Sequence, residues 1–155
     1  MILSAQSIRH RCIGSGMVSP FHERSVEGGM SFGLSCHGYD VRVAEDIYLN
    51  HGDFTLASTV EHFHMPTDVA GFVMDKSTWA RRGLSLFNTI IEAGWSGFLT
   101  LELTCHVRRG LHIPAGSPIA QVVFQKLDLP TEQPYAGKYN NQERGPQAAR
   151  FEEPR

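Results

Sequence analysis

DKSTWARRGLSLFNTIIEAGWSGFLTLELTCHVRR, residues 75–109, combines short apolar runs with glycines and clustered polar side chains. Two runs within it, LSLFNTII and GFLTLELTCHV, have the length and the apolar, β-branched composition of β-strands. The connection between them is too short to hold a helix. We therefore predict that this region contributes consecutive strands without helical spacers.

Further strand-like runs lie on both sides of this region. The run GYDVRVAEDIYL alternates apolar and polar residues at Tyr39, Val41 and Val43, which is the period of a half-buried strand. Other runs of this kind are FTLASTVEHF, GFVMD and IAQVVFQKL, with Gly and Pro between them. Many short strands without intervening helices indicate a mainly β fold, an antiparallel sandwich or barrel.

The N-terminal segment, residues 1–34, has a different pattern. Ser4 precedes AQSIRHRCI, in which Ile8 and Cys12 share one helical face, so we predict a short helix that is capped by Ser4 and ends near Gly14. From there to about Leu34, the sequence is rich in Gly, Ser and His and predicts a loop. We expect the core to begin after this loop.

The C-terminal segment, residues 130–155, is poor in apolar residues and rich in Pro, Gly, Gln and charged residues. This composition by itself favours a disordered tail. The segment nevertheless holds Tyr135, Lys138, Tyr139 and Gln142 at close spacing, a set of aromatic, cationic and amide groups that could close over a nucleotide. Both interpretations stay open at the sequence level.

Size and composition limit the classes of function. The 155 residues fit a single domain, and a net charge of −2 provides no basic field for a nucleic-acid polymer. Three scattered cysteines without a CxxC pair predict reduced thiols. The sequence has neither a signal-peptide pattern nor an apolar run long enough to span a membrane. We expect a cytoplasmic protein without membrane or nucleic-acid partners.

Residues 76–81 carry the chemistry of an anion-binding site. Lys76, Ser77, Thr78 and Arg81 offer two cations and two hydroxyls within six residues. Such a set suits an anion with several oxygens better than a single carboxylate. A triphosphate is the ligand that this pattern favours.

Two acidic residues follow in the same region. Glu92 lies at the end of a predicted strand, and Glu102 lies within the apolar run FLTLELT. Alternation places Thr100 and Glu102 on one face of that strand and the three leucines on the other. Glu102 is then either a solvent-facing residue of an amphipathic strand or a carboxyl group in an enclosed site. Enclosure would raise its proton affinity and suit it to transfer protons as an acid and a base.

Other catalytic patterns are missing from the sequence. Zinc deaminases carry H-x-E together with P-C-x-x-C, and neither element occurs. His62 and His64 would share one face of a strand, but no third ligand lies near them in sequence. No G-x-S-x-G elbow of a serine hydrolase is present. We therefore predict no metal site built from protein side chains.

Five segments in order resemble one family, the zinc-independent dCTP deaminases of the trimeric dUTPase superfamily. These segments are SFGLSCHGYDVRVAED, KSTWARRGL, IIEAGWSGFLTLEL, PIAQVVF and PYAGKYNNQ, which together span most of the chain. The resemblance implies a dUTPase-like β-clip, or distorted jelly roll, with a short N-terminal helix. It also implies a homotrimer with sites between subunits, Mg²⁺ held by the triphosphate, and no zinc.

The resemblance also implies roles for individual residues. Glu102 matches the general acid and base, and Ser77 and Arg81 match the groups that orient the attacking water and contact phosphate. The remaining positions that match substrate-binding residues are Lys76, Thr78, Tyr135 and Lys138 at the phosphates, Glu92 at the 3′-hydroxyl, Thr89 and Ile90 in the segment that reads the base, Thr100, and Gln142 from the tail.

The reaction implied by this resemblance is attack of water on C4 of dCTP, with release of ammonia and dUTP. dUTPases of the superfamily have an apolar residue at the position of Glu102, so Glu102 favours deamination. Residues 87–90 depart from the patterns NVTP and VTAH of the family, which leaves a 5-substituted dCTP open as the substrate. The alternatives are a bifunctional enzyme that also cleaves dUTP to dUMP, a plain dUTPase, and a non-catalytic nucleotide-binding regulator. dTTP is a possible feedback effector.

Overall fold

The computed structural model describes residues 1–152, and its architecture is mainly β, as predicted. The helices are α1 (Ala5–Ser15) and α2 (Ser77–Ala80). The strands are β1 (Val18–Ser19), β2 (Ser25–Glu27), β3 (Met30–Leu34), β4 (Tyr39–Arg42), β5 (Ile47–Leu49), β6 (Phe54–His64), β7 (Val69–Asp75), β8 (Leu84–Leu86), β9 (Ile90–Ile91), β10 (Ser96–Cys105), β11 (Leu111–Ile113) and β12 (Pro118–Lys126).

The strands form three antiparallel sheets. The largest has the order β2-β3-β4-β12-β7-β9, the second has the order β1-β6-β10-β8, and β11 pairs with β5. Alternate residues of the two larger sheets form one apolar core, because the period of a strand places every second side chain on the same face. Fully buried examples are Val41 and Val122 from the first sheet and Leu101 and Leu103 from the second.

Helix α1 begins and ends close to its predicted limits. Ile8 and Cys12 are buried against the core, as their shared face predicted. Ser4 occupies the N-cap position, although its side chain makes no capping hydrogen bond. The helix ends at Gly16, whose φ of 69° is the left-handed conformation that glycine adopts without a steric penalty.

The predicted loop over residues 14–34 is wrong in two respects. Strands β1, β2 and β3 lie within it, and β2 pairs with β3 as a hairpin that joins the six-stranded sheet. Met17, Val18 and Leu34 are buried in the core, so the core does not begin after this segment. The β2–β3 hairpin can form with few apolar residues, because backbone hydrogen bonds from β3 attach it to β4 of the six-stranded sheet.

The run LSLFNTII is also not a single strand. It is divided into β8, which pairs with β10, and β9, which pairs with β7 in the other large sheet. The intervening residues 87–89 cross from one sheet to the other. This crossing opens the space in which the candidate site lies.

Strand β10 contains the irregularity that shapes the site. Phe98 pairs with His62 and Thr100 pairs with Ser58, so residues 59–61 of β6 lie opposite Leu99 alone. The hydroxyl of Thr59 accepts a hydrogen bond from the backbone N–H of Leu99, 3.0 Å away. Such a bulge interrupts the alternation of side chains. Leu99, predicted on the face opposite Glu102, therefore lines the same cavity as Glu102.

Candidate active site

A cavity of about 790 Å³ lies between the two large sheets and is closed on one side by the C-terminal tail. Side chains from β6, β7, the crossing segment, β10 and the tail line it. Of the residues predicted to bind substrate or catalyse, it contains Thr89, Ile90, Glu92, Thr100, Glu102, Tyr135 and Gln142. The structure thus brings together seven residues that are spread over more than fifty positions of sequence.

Glu102 is the acidic residue in the interior of this cavity. It lies in the middle of β10, between the fully buried residues Leu101 and Leu103, and its own side chain is half-buried on the opposite face. Within residues 1–152, its carboxyl group has no hydrogen-bond partner. Loss of water contact therefore raises the pKa of the Glu102 carboxyl group above its ordinary value. A carboxyl group with a raised pKa binds a proton more tightly than an ordinary one, which suits it to take a proton from water and deliver it again.

Glu92 lies at the turn that follows β9. Its backbone carbonyl accepts a hydrogen bond from the N–H of Trp95, 3.1 Å away, and its side chain is exposed at the edge of the cavity. Thr89 and Ile90 are exposed on the same side. The two carboxyl groups of the cavity therefore differ in environment, since Glu92 is solvated and Glu102 is half-buried.

The tail lies along the start of β10. The backbone N–H of Asn141 donates to the carbonyl of Ser96 at 2.8 Å, and the N–H of Phe98 donates to the carbonyl of Gln142 at 3.0 Å. The indole of Trp95 donates to the carbonyl of Tyr139 at 2.6 Å. For residues 130–152, the disordered-tail alternative does not describe this structure, because the tail is hydrogen-bonded to the start of β10.

Thr100 connects the tail to the interior of the cavity. Its hydroxyl donates to the side-chain carbonyl of Gln142 at 3.2 Å and accepts from the backbone N–H of Gln147 at 3.1 Å. Both Thr100 and Gln142 are buried. The Thr100 hydroxyl therefore binds two separate positions of the tail to the strand that carries Glu102.

The predicted phosphate-binding residues occupy a different place. Ser77 and Thr78 lie on α2, Arg81 follows it, and all three side chains are exposed. Within the single chain as described, none of the three lines the cavity that holds Glu102. Lys138 is also exposed and outside the cavity lining, with its ammonium 5.4 Å from the ring centre of Tyr139.

Lys76 differs from its neighbours in the same motif. Its ammonium donates to a carboxylate oxygen of Asp40 at 2.9 Å, and both side chains are buried. The other oxygen of Asp40 accepts from Gln121 at 3.2 Å. The charge of Lys76 is thus neutralised inside the protein by Asp40, and its contact with phosphate stays a prediction.

Comparison with known proteins decides the family. A profile described as dCTP deaminase-like matches residues 37–127, which is more than half of the chain. This chain belongs to the dCTP deaminase-like family. A dCTP deaminase of Campylobacter fetus subsp. fetus is 36% identical to it, and the alignment covers 88% of this chain and 91% of the relative. A dCTP deaminase of Acidobacterium capsulatum is 32% identical, with 92% and 95% covered.

Solved structures support the fold of this family member. The 2′-deoxycytidine 5′-triphosphate deaminase of Agrobacterium tumefaciens superposes with a TM-score of 0.64 at 17% identity, covering 79% of this chain and 46% of that chain. The native dUTPase of EIAV superposes with a TM-score of 0.58 at 21% identity, covering 79% and 98%. Identities this low show the fold alone, and the fold is the dUTPase-like one that the resemblance implied.

Several cavity residues of this family member were missed by the sequence analysis. Phe54 and Leu56 come from β6, Trp95 precedes β10, and Gln147 comes from the tail. Asn88 lies in the crossing segment, and its side-chain amide binds the backbone of β10 on both sides of Leu101. No local pattern marks these residues, since each reaches the cavity through pairing between distant parts of the chain.

The two histidines considered as metal ligands lie on β6. The ring of His62 packs edge-on against Phe98, with ring centres 5.1 Å apart, and His64 is exposed. Burial and the nearby His64 lower the pKa of the His62 imidazole. Over residues 1–152, no three His, Cys, Asp or Glu side chains are grouped closely enough to bind a metal ion. No helix in the described part of the chain is long and apolar enough to cross a membrane.

Proposed function

We propose that this protein hydrolyses the exocyclic amine of dCTP, giving dUTP and ammonia. The observation that carries this proposal is the half-buried Glu102 carboxyl group, which has a raised pKa and faces the cavity of a dCTP deaminase-like fold. Relatives that cover nearly the whole chain bear the name dCTP deaminase. A dUTPase needs no proton transfer at the base, so the position of Glu102 favours deamination over phosphoanhydride cleavage.

In the proposed reaction, Glu102 transfers every proton. Its carboxylate takes a proton from water as the oxygen bonds to C4 of the cytosine ring, and the resulting carboxylic acid delivers that proton to N3. Glu102 then moves the second proton of the former water to the amine, the C4–N bond breaks, and ammonia leaves. The atoms balance as dCTP plus water giving dUTP plus ammonia.

The remaining residues are proposed to hold the nucleotide. Glu92, solvated at the edge of the cavity, would accept a hydrogen bond from the 3′-hydroxyl of the deoxyribose. Thr89 and Ile90 would contact the base, while Thr100, Gln142 and Tyr135 would place the tail over it. The exposed groups Ser77, Thr78 and Arg81 suit phosphate oxygens and the attacking water, and Lys138 could reach the phosphates from the tail.

A homotrimer would complete this site. Ser77 and Arg81 are exposed and outside the cavity of their own chain, so we propose that they act in the cavity of a neighbouring subunit. Their hydroxyl and guanidinium donors suit phosphate and not a metal ion, so Mg²⁺ would be held by the triphosphate itself. There it would neutralise part of the phosphate charge. The proposed chemistry uses no zinc.

A 5-substituted dCTP is the second candidate substrate. The apolar side chains of Phe54, Leu56, Phe87 and Ile90 line the same cavity as Glu102. An apolar wall favours a methyl group over a polar substituent at the base. Under this alternative, 5-methyl-dCTP would be deaminated by the same proton transfers.

Product analysis tests these proposals. The protein, freed of trace zinc by a chelator and then supplied with Mg²⁺, is incubated separately with dCTP, 5-methyl-dCTP and dUTP. Release of ammonia with accumulation of dUTP supports the proposal, and ammonia with pyrophosphate and dUMP would show a bifunctional enzyme. Pyrophosphate from dUTP without any ammonia would identify a dUTPase. Tight binding of dCTP or dTTP without turnover would identify a regulator, and inhibition by added dTTP would reveal a feedback effector.

A further inference from the structure

The pairing of β10, the strand that carries Glu102, with its neighbour β8 ends close to Glu102. Strand β8 pairs with β10 up to the pair Leu86 and Leu103, and the N–H of Phe87 still donates to the carbonyl of Glu102 at 3.0 Å. The chain then leaves for β9 in the other sheet. From Glu102 toward the start of β10, backbone pairing with β8 therefore ends.

The side chain of Asn88 replaces the missing strand. Its Nδ2 donates to the carbonyl of Thr100 at 2.7 Å, and its Oδ1 accepts from the N–H of Glu102 at 3.1 Å. One carbonyl and one N–H require one donor and one acceptor, which an Asn amide provides in a single rigid group. The amide thus binds the two backbone groups of β10 that a continuing antiparallel strand would bind with a carbonyl of one residue and the N–H of another two positions further on.

These contacts bind both backbone polar groups of Glu102. Its N–H is bound by Asn88 and its carbonyl is bound by Phe87. The Glu102 carboxyl group makes no hydrogen bond to the described chain, so nothing but packing and the backbone of β10 determines where it points. Small displacements of a reacting group have large effects on rate, because the group must meet the substrate atom in a narrow geometry.

We propose that Asn88 is a positioning residue for Glu102: its amide fixes the segment Thr100–Glu102 and thereby places the carboxyl group for proton transfer. The inference rests on the proposed function, because it assigns Glu102 the proton transfer. Asn88 itself contacts no reacting atom in this assignment. The relevant property is its pair of backbone hydrogen bonds and not the polarity of its side chain at the cavity surface.

The first test compares Asn88→Ala with Asn50→Ala. Asn50 also uses its side-chain amide in a hydrogen bond, to Asp53 at 3.1 Å, but it lies on an exposed turn outside the cavity. We expect Asn88→Ala to lower kcat by roughly tenfold to a hundredfold with little change in KM, since placement of Glu102 is lost while the nucleotide contacts remain. Asn50→Ala should keep the kcat of the unmodified chain.

The second test measures the pKa of the Glu102 carboxyl group directly and does not require catalytic turnover. Carbon-13 NMR titration of labelled glutamate, with the Glu102 signal assigned by its loss in Glu102→Gln, follows the ionisation of this one carboxyl group. Asn88→Ala should move the pKa of Glu102 down toward its ordinary value, because a loosened strand admits water. Asn88→Asp keeps the acceptor for the Glu102 N–H but adds a negative charge, so the pKa should move up. This variant also serves if Asn88→Ala does not fold.

The outcomes separate the inference from the proposed function. A folded Asn88→Ala protein whose kcat and Glu102 titration both match the unmodified chain would overturn the inference, as would an Asn88→Asp protein with unchanged kcat. A lower melting temperature as the sole effect of Asn88→Ala would overturn it equally. If the unmodified chain releases no ammonia from any deoxycytidine nucleotide, the proposed function fails, and the titration still shows whether Asn88 determines the environment of Glu102.

Discussion

Glu102 and Lys76 show how the fold treats two charged side chains in opposite ways. The carboxyl group of Glu102 is half-buried without a partner, and its pKa is raised because water is partly excluded. The ammonium of Lys76 is more deeply buried, yet Asp40 neutralises it at 2.9 Å. An unpaired group that remains partly hydrated is available for chemistry, whereas a paired buried group contributes to the structure.

Removing the ionisable group of Glu102 should separate catalysis from binding. Glu102→Gln keeps the size and polarity of the side chain but cannot accept or deliver a proton. We expect kcat to fall by ~10² or more while the affinity for dCTP stays nearly the same. Steady-state kinetics and binding titration measure the two quantities. Glu27→Gln, at an exposed position of β2, is the matched control. Turnover of Glu102→Gln at the rate of this control would show that another group moves the protons.

The same substitution should change the pH dependence of stability. Because the pKa of Glu102 is raised in the folded state, the folded protein binds this proton more tightly than the unfolded chain does. Its contribution to stability is therefore present at pH values below the unfolded pKa, and it is lost as pH rises through the folded pKa. The free energy of unfolding of Glu102→Gln minus that of the unmodified chain should therefore be larger at about pH 7 than at about pH 4. Denaturant unfolding at both pH values measures this difference. A difference that is the same at the two pH values would contradict the raised pKa.

Lys76→Met tests whether Lys76 acts in the structure or on phosphate. The substitution leaves the buried carboxylate of Asp40 without its cation, which should lower the free energy of unfolding by about 3 kcal/mol. Chemical denaturation measures this loss. In comparison, Glu23→Gln breaks the exposed pair of Arg9 and Glu23 and should have a far smaller effect. A stable Lys76→Met protein with a strongly raised KM for dCTP would instead support the predicted contact of Lys76 with phosphate.

At the scale of elements, the docking of the tail on β10 depends on the absence of a side chain at Gly97. A Cβ at Gly97 would lie 2.6 Å from the backbone nitrogen of Gln142, and the φ of this residue is 145°. Likewise, a Cβ at Gly94 would lie 2.5 Å from the Cβ of Pro134. Two glycines of the segment AGWSG therefore leave room for the tail to pass directly over the backbone.

Gly97→Ala should displace the tail from β10. We expect a higher KM for dCTP and faster proteolytic cleavage after residue 130, because the tail can no longer approach Ser96 and Phe98. Gly116→Ala is the matched control, since its φ is 82° but nothing lies within 4 Å of the added Cβ. The control should lose some stability from backbone strain, about 1 kcal/mol, and keep its KM. An unchanged KM in both proteins would mean that the docked tail does not contribute to nucleotide binding.

At the scale of the whole molecule, the two groups of proposed catalytic residues lie in separate places on one chain. Glu102 lies in the cavity, while Ser77 and Arg81 are exposed on and after α2. The proposed reaction needs Glu102 together with Ser77 and Arg81. A second copy of the chain can supply Ser77 and Arg81 to the cavity of the first if the subunits are arranged head to tail in a closed ring.

Mixing of inactive variants tests this arrangement. Glu102→Gln and Arg81→Ala proteins are each expected to be inactive alone. When the two are unfolded together and refolded in equal amounts, about a quarter of the sites in a ring would combine an intact Glu102 with an intact Arg81 of the neighbour. Ammonia release should return to a corresponding fraction of the unmodified rate. Failure of every mixture to recover activity, with trimers confirmed by light scattering, would show that each site is built within one chain.

The amino-acid sequence alone determined the fold class and the order of the main elements. The alternation in GYDVRVAEDIYL, the apolar run FLTLELT and the shared face of Ile8 and Cys12 are local patterns, and the structure contains β4, β10 and α1 within them. The first run is nevertheless divided, because its end forms β5 and pairs with β11 in a separate sheet. Local side-chain periodicity is sufficient for such predictions, because it reflects which face of an element is buried. Glu102 stood out for the same reason, as an acidic residue in an apolar strand.

Tertiary structure alone decided how the site is assembled. The bulge opposite Leu99, the amide of Asn88 that replaces a strand, the contacts of the tail with Thr100 and the burial of Lys76 against Asp40 all join residues distant in sequence. None of these contacts produces a periodic pattern in the sequence, because each depends on where two separately formed elements meet. The Asn88 contacts satisfy backbone groups at an interrupted sheet edge, and the Lys76–Asp40 pair satisfies two charges that folding buries. Both needs exist only once the sheets have paired.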